Sequence, residues 1–236
     1  MTWVTDRVRQ VRSDGYGQPL DPAGTSDVSS VWVIVVAAGS GTRFGRAKQY
    51  ELLGDRRVMD WSLATAAEAA DGVVAVVADG APDEPAADTT VVGGATRSAS
   101  VRAGLAAVPP TAEVIVVHDA ARPAASIELY AAVIGAVRRG ADAAVPGIAL
   151  TDTIRRRGGG LVDRDTLVAV QTPQAFAADL LRAVHGTAPE ATDDASLIDA
   201  AGGTVVLVEG ETHNRKITTP EDLLIATALL AAGGPR

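Results

Sequence analysis

Val31 to Tyr50 reads VWVIVVAAGSGTRFGRAKQY, and this stretch decides the fold. Its first part, Val31 to Ala38, is an apolar run rich in β-branched residues and too short for a typical helix. That predicts a fully buried strand of a parallel sheet. The strand leads straight into Gly39-Ser40-Gly41-Thr42-Arg43-Phe44-Gly45. With so many glycines the backbone can turn tightly and come close to a ligand, because no Cβ stands in the way. Such a loop aims several N–H groups into one concavity that suits phosphate oxygens. Arg43 and Lys48 set two cations beside it. Strand, glycine turn, Arg and Lys together suit a polyphosphate; the alternative is a glycine-rich turn with solvated cations.

Three known phosphate loops compete for this stretch. A P-loop needs Gly, four residues, then Gly-Lys-Ser/Thr, and no such run is present. A dinucleotide fingerprint needs GxGxxG opening a helix, with an acid about 20 residues on. Here the glycines fall at 39, 41 and 45, and Asp79, the acid closing the next predicted strand, lies too far along. The nucleotidyltransferase signature, AAGxGxR followed by a lysine, fits Ala37, Ala38, Gly39, Ser40, Gly41 and Arg43, with Lys48 after them.

Composition narrows the class. The 236 residues suit one α/β domain with an appendage, and 47% hydrophobic residues exclude a disordered chain. A net charge of −8 argues against a nucleic-acid binder, so an anionic substrate must be drawn by a local cationic patch. With no cysteine, disulfides and thiolate metal sites are excluded, which fits the cytoplasm. No apolar stretch reaches the roughly 18 residues of a membrane span, and no signal peptide is evident. Of 21 basic residues only Lys48 and Lys216 are lysines. Where arginine is the default cation, these two read as positions that need a compact ammonium; chance is the alternative.

Residues 1 to 30 are polar, without apolar period, and read as a disordered or loosely attached extension. The domain proper begins at residue 31 and runs to 236. Helical spacing over Val58–Ala70 points Val58, Trp61, Leu63 and Ala64 at a core. Val73–Ala78 and Thr89–Val92 read as strands, Arg97–Val108 as a helix, and Val114–Val117 as a buried strand ending in His118-Asp119. Ser126 caps a helix to about Arg139, and Ala141–Val145 is a strand ending at Pro146. This alternation predicts a Rossmann-like α/β fold, a mostly parallel sheet flanked by helices. Ligands in such sheets bind beyond the carboxyl ends of the strands, where Gly39, Gly93 and Asp119 fall. Residues 150–170 alternate around Gly158-Gly159-Gly160 as an inserted β-hairpin. A lone hairpin is marginal and needs a packing partner. Helices at 177–185 and 193–201 and a strand at 204–208 follow. A last helix starts with Thr219 as cap, Pro220 in first position and Asp222 in third.

Asp119, at a strand end, suits Mg²⁺ or a ribose hydroxyl, or a structural pair with Arg122. Gly93-Gly94 with Arg97 and Ser100 suits a nucleobase, or simply a strand-to-helix turn. Thr192-Asp193-Asp194 reads as a structural helix start. His185 and His213 read as isolated core or surface residues. No Ser-His-Asp or Cys-His arrangement is evident. That fits nucleotidyl transfer, in which a phosphate monoester, its second pKa being ~6, attacks without a general base. Such an enzyme has only to position two anions and neutralise charge.

The runs AAGSGTRFGRAKQY, GGATRSASVRAGL, VHDAARP, LTDTIRR, VDR, QTPQAF, TDDASLIDAAG and VEGETHNRKITTPEDL, in this order, resemble the 2-C-methyl-D-erythritol 4-phosphate cytidylyltransferase family over residues 31 to about 230. The resemblance implies a CTP loop at Ala37, Ala38, Gly39, Ser40 and Gly41, and transition-state cations at Arg43 and Lys48. It implies Gly94 and Ser100 near the cytosine, and Asp119 and Arg122 by the ribose and substrate. Thr153 and Arg164 of the hairpin would hold methylerythritol phosphate. Lys216 would serve both CTP and substrate. It further implies Mg²⁺, mainly on the CTP phosphates or near Asp119, and a homodimer with interlocked hairpin arms. Ala47 stands where the family often has proline, and Ala95 where some members have an acid. The implied activity is cytidylyl transfer to the polyol phosphate in isoprenoid precursor synthesis. The alternatives are a cousin acting on another polyol phosphate such as ribitol 5-phosphate, and a non-catalytic nucleotide-binding protein. With the chain ending at Arg236, no fused synthase domain is expected.

Overall fold

The computed structural model describes residues 30–39 and 41–231. The extension read over residues 1 to 30 lies outside the described residues except for Ser30, and Ser40 of the glycine loop lies outside them too.

β1 (Val31–Val36) is central, as its apolar run predicts. It pairs in parallel with β4 (Gly72–Val77) on one side and β6 (Val114–Asp119) on the other. β5 (Thr89–Val92) adds a parallel strand beyond β4. On the other flank β11 (Gln174–Ala177) runs antiparallel between β6 and β7 (Ala143–Ala149). β12 (Val205–Glu209) pairs in parallel with β7. The expected mixed, mostly parallel sheet is present.

The two-residue period of β1 divides the core. Val31, Val33 and Val35 face α1 (Val58–Ala69) and α3 (Ile127–Arg138). Ile34 faces α2 (Arg97–Ala107), α4 (Ala178–His185) and α5 (Ala195–Ala200). Helices thus cover both faces, which is why the strands carry almost no polar residues. A third cluster joins Phe44, Leu53, Val58 and Ile217 to Leu223 and Leu230 of α6 (Pro220–Ala231). Thr219 and Asp222 start α6 as a reciprocal pair: Thr219 N donates to Asp222 Oδ2 at 2.9 Å, and Asp222 N to Thr219 Oγ1 at 3.4 Å.

Two readings are corrected, and two elements are new. α1 turns Met59, Ser62, Leu63 and Ala66 inward, while Ala64 is exposed and Trp61 half-buried, because the stripe follows the 3.6-residue period from Met59. β7 does not end at Pro146. It passes through it where its edge partner changes from β11 to β10 (Val168–Val170), and the Pro146 carbonyl accepts from Gln171 N at 2.8 Å. β11 was not anticipated, nor was the small hairpin of β2 (Leu52–Leu53) and β3 (Arg56–Arg57).

The 150–170 insertion leaves β7 and returns as β10. Between them β8 (Ile154–Arg155) and β9 (Leu161–Val162) pair antiparallel about Gly158-Gly159-Gly160, whose φ angles are 101, 135 and 80°. Leu161, Leu167, Val168 and Val170 of this arm are exposed.

α2 lies unusually close to the sheet. A Cβ at Gly104 would stand 2.5 Å from Ile34 Cγ2 and 3.0 Å from Val76 Cγ2. Glycine inside a helix weakens it by roughly 0.5–1 kcal/mol relative to alanine, yet overpacking a core weakens it by about 1–3 kcal/mol. Gly104→Ala should therefore lower stability, by about 1 kcal/mol net, measured as a fall in urea midpoint with unchanged slope.

Candidate active site

The parallel strands β1, β4, β5, β6, β7 and β12 end at one edge of the sheet. β11, running the other way, starts there. The loops after these strands and the segment before β11 form the site.

The glycine loop is held from below. Buried Gln49 donates through Nε2 to Ala37 O at 2.7 Å and Gly39 O at 3.2 Å. Gly41 turns at φ +67°, and a Cβ there would meet Arg46 O at 1.9 Å, so only glycine fits. Phe44 anchors the loop in the third apolar cluster. That leaves Arg43 exposed and Lys48 half-buried. Burial lowers the Lys48 pKa, and Lys216 and Arg43 lower it further, against Asp119 and Asp222. Three cations thus share one electrostatic neighbourhood.

The turn after β5 packs directly on this loop. A Cβ at Gly93 would stand 2.4 Å from that of Ala38, so glycine permits the approach. Ser100 is buried beneath Gly94. Its Oγ accepts from Gly94 N at 3.2 Å and donates to Thr96 O at 2.9 Å, so its hydroxyl shapes the turn.

Asp119, the last residue of β6, is the centre of charge. Lys216 Nζ donates to its Oδ2 at 2.6 Å, and Arg97 Nε lies 3.5 Å from its Oδ1. Burial would raise this carboxyl, but Lys216, Arg97 and Arg122 prevail and hold it well below the usual carboxylate range. Behind it runs a chain of hydrogen bonds. Asp119 N donates to Thr172 Oγ1 at 3.0 Å, and Thr172 Oγ1 lies 3.2 Å from His118 Nδ1. His118 Nε2 lies 3.2 Å from the carbonyl of Arg122. A carbonyl only accepts, so Nε2 carries the proton and Nδ1 accepts from threonine. His118 is therefore neutral; burial pushes its pKa down to about 4, against Asp119. Arg122 donates to Asn214 O at 2.8 Å and Val170 O at 3.3 Å, bracing loops rather than pairing with Asp119.

The QTPQ segment supplies braces that motif reading did not reveal. Gln171 Nε2 donates to Glu211 O at 2.7 Å, and its Oε1 accepts from Glu211 N at 3.0 Å. Gln174 Nε2 donates to Asp193 Oδ1 at 2.8 Å. Beside Lys216 a cavity of 180 Å³ is lined by Arg122, Gln171, Asn214, Arg215 and Lys216, with Ile148 and Val170 of the arm base. Its lining carries three cations and no carboxylate. Arg215 had not been singled out; its neighbourhood to Lys216 was the available signal.

The structure brings Ala37, Ala38, Gly39, Gly41, Arg43, Lys48, Gly94, Ser100, Asp119, Arg122 and Lys216 to this edge. Thr153 and Arg164 are not brought there. Both are exposed on the arm, and Arg164 donates to Thr151 O of the same arm. Thr192-Asp193-Asp194 does lead into a helix, with Asp194 at the N-cap of α5; its carboxylate makes no cap hydrogen bond and pairs with Arg97 at 2.6 Å instead. His185 is not isolated; its Nε2 lies 3.1 Å from Asp194 Oδ1. Among the described residues no group of three or more His, Cys, Asp or Glu is placed to hold a metal ion, and no helix is long and apolar enough to cross a membrane.

The neutral His118 has a measurable consequence. Its folded pKa lies below the ordinary 6.5, so the unfolded chain binds the extra proton between about pH 6.5 and 4. Its contribution is complete above that window and is lost as pH falls through it. His118→Gln should flatten the unfolding-free-energy profile in that window by a slope of about one proton, read from urea denaturation across pH.

A family model described as 2-C-methyl-D-erythritol 4-phosphate cytidylyltransferase matches residues 31–232. The enzyme of that name from Thermus thermophilus is 41% identical over 208 residues, covering 84% of this chain and 96% of its own. A crystal structure of the Thermus thermophilus enzyme superposes with a TM-score of 0.76 at 37% identity, covering 86% of this chain and 99% of that one. A bifunctional enzyme, IspD/IspF, from Caulobacter vibrioides is 43% identical over 215 residues, covering 84% of this chain. The chain spans only 56% of the length of that bifunctional relative. Match length, identity and superposition agree with the motif order, and the chain belongs to the 2-C-methyl-D-erythritol 4-phosphate cytidylyltransferase family.

Proposed function

We propose that this chain transfers the cytidylyl group of CTP to 2-C-methyl-D-erythritol 4-phosphate, releasing pyrophosphate, as a step in isoprenoid precursor synthesis. The observation that carries this reading is the meeting of Arg43, Lys48, Lys216 and Asp119 beside a glycine turn at the strand ends, in a chain of this family. The phosphate monoester is largely dianionic near neutrality, its second pKa being ~6. One of its oxygens attacks the α-phosphorus; the bond to the β-phosphate oxygen breaks and pyrophosphate leaves with the electron pair. No general base is required. Arg43 and Lys48 meet the charge that gathers on the phosphorus oxygens and on the leaving group. The cationic cavity beside Lys216 suits the acceptor's phosphate. Asp119, braced by Thr172 and paired with Lys216, faces hydroxyls of ribose or polyol.

Magnesium enters this reading as part of the nucleotide substrate. It prefers phosphate and water oxygens with few carboxylates, and both oxygens of Asp119 already face cations. We place the enzyme in the cytoplasm, as a homodimer. The exposed Leu161, Leu167, Val168 and Val170 give each arm an apolar side for a second copy.

Pyrophosphate release, with CTP, Mg²⁺ and either methylerythritol phosphate or ribitol 5-phosphate, tests the substrate directly; faster turnover of ribitol phosphate would overturn the choice of acceptor. Arg43→Ala and Lys48→Ala should each lower kcat by roughly 10²–10³-fold with little change in KM for CTP. A change confined to KM would assign them to docking alone. Lys48→Arg should fail as well, because a planar fork does not replace a compact ammonium in a tight loop. For the arm, Arg43→Ala and Arg164→Ala chains are combined into mixed dimers. If each arm completes its neighbour's site, one whole site forms per mixed dimer and activity returns. If each chain builds its own site, mixed dimers stay inactive.

A further inference from the structure

α2 grips the segment before α5 at three points. Ser98 Oγ donates to Ala191 O at 2.9 Å, and Arg102 donates to Pro189 O at 2.7 Å. The third contact differs, because Arg97 stands between two carboxylates. It donates to Asp194 Oδ2 at 2.6 Å, and its Nε lies 3.5 Å from Asp119 Oδ1. The Asp194 side chain is 1% exposed, and its other oxygen faces His185 Nε2 at 3.1 Å. A buried carboxylate that caps nothing, held by a histidine from one side and aimed at an arginine on the other, constrains where that arginine can go.

We propose that Arg97 and Asp194 are positioning residues: Asp194 holds the guanidinium back from Asp119, so that Asp119 stays paired with Lys216 and faces the substrates. This rests on the reading of Asp119 and Lys216 as substrate contacts. A guanidinium forms its strongest contact as a two-pronged fork on one carboxylate. A largely buried cation that loses its partner closes on the nearest alternative. Released from Asp194, Arg97 would close on Asp119 and compete with Lys216. His185 fixes the rotation of Asp194, and Gln174, bonded to Asp193 at 2.8 Å, fixes the segment.

The chain's two lysines make the test direct. Protein carrying ¹⁵N-lysine should give two side-chain ammonium signals, assigned with Lys48→Arg. Asp194→Asn keeps the shape and the acceptor for His185 but loses the charge. In that variant the Lys216 signal should move more than that of Lys48, and kcat should fall roughly tenfold to a hundredfold at a temperature where the variant is shown to be folded. Asp119→Asn with Asp194→Asn should be no worse than Asp119→Asn alone, because one acts through the other. Unmoved lysine signals, or losses that multiply in the double variant, would reduce Asp194 to a structural role and overturn the proposal. If Asp194→Asn does not fold, His185→Gln and His185→Leu carry the test. Glutamine restores an N–H to Asp194 and should keep kcat, whereas leucine should lose it; equal activity of the two overturns the proposal. A fully active Asp119→Asn would remove Asp119 from the site and this proposal with it. An impaired Asp119→Asn beside a normal Asp194→Asn would leave that reading standing and overturn the positioning role alone.

Discussion

The ionised carboxylate of Asp119, held out of water at the end of a buried strand, is the constraint on which the active edge depends. Burial works against a charge there, and a carboxylate in an apolar setting would take up a proton. It stays charged because cations arrive from separate parts of the chain: Lys216 from the loop after β12, Arg97 from the first turn of α2, and Arg122 from the loop after β6. Removing any one of them changes the field at the other two. The loops after β6 and β12 also share a backbone hydrogen bond, Ile217 N to Ala121 O at 2.8 Å. The start of α2 is tied to both of them through charge.

That linkage accounts for the polar braces beneath the site. A charge pair in a low-dielectric setting gains much from good geometry and loses much when misplaced. The neutral His118, Thr172, Gln171 and Gln174 carry no net charge and are buried. They fix geometry without adding to a charge balance already met. The glycine loop follows the same rule: Gln49, an amide, secures it from below, while Arg43 is exposed and Lys48 half-buried.

The sequence was most readable where one local signal sufficed. β1, β4 and β6 are unbroken apolar runs, and β5 matches its expected bounds because β-branched residues end in a glycine pair. The start of α6 was legible because Thr219, Pro220 and Asp222 each fit their own position. β11 was not, because QTPQAF shows neither alternation nor an apolar run; its polar residues are buried by bonds to distant loops. Asp194 precedes a helix, as capping acids do, and only the folded chain shows its carboxylate turned to Arg97. Lys48 and Lys216 were legible through composition, since scarcity of lysine marked them before any geometry did. The roles of Thr153 and Arg164 rest on resemblance alone, as a single chain leaves them in solvent on its arm.

β11 has a consequence for timing. β6 and β7 follow each other along the chain, yet the place between them is filled by a strand synthesised later, after the whole arm. A nascent chain can pair β1, β4, β5 and β6 as they emerge, but β6 keeps an open edge until β11 arrives. Thr172 and Gln171, which secure Asp119 and the loop before Lys216, come with that same strand. Closing the gap beside β6 and bracing Asp119 are thus one event, while β12 and the Lys216 partner of Asp119 follow later still, so a partly made chain presents an unpaired strand edge before it presents a working pocket.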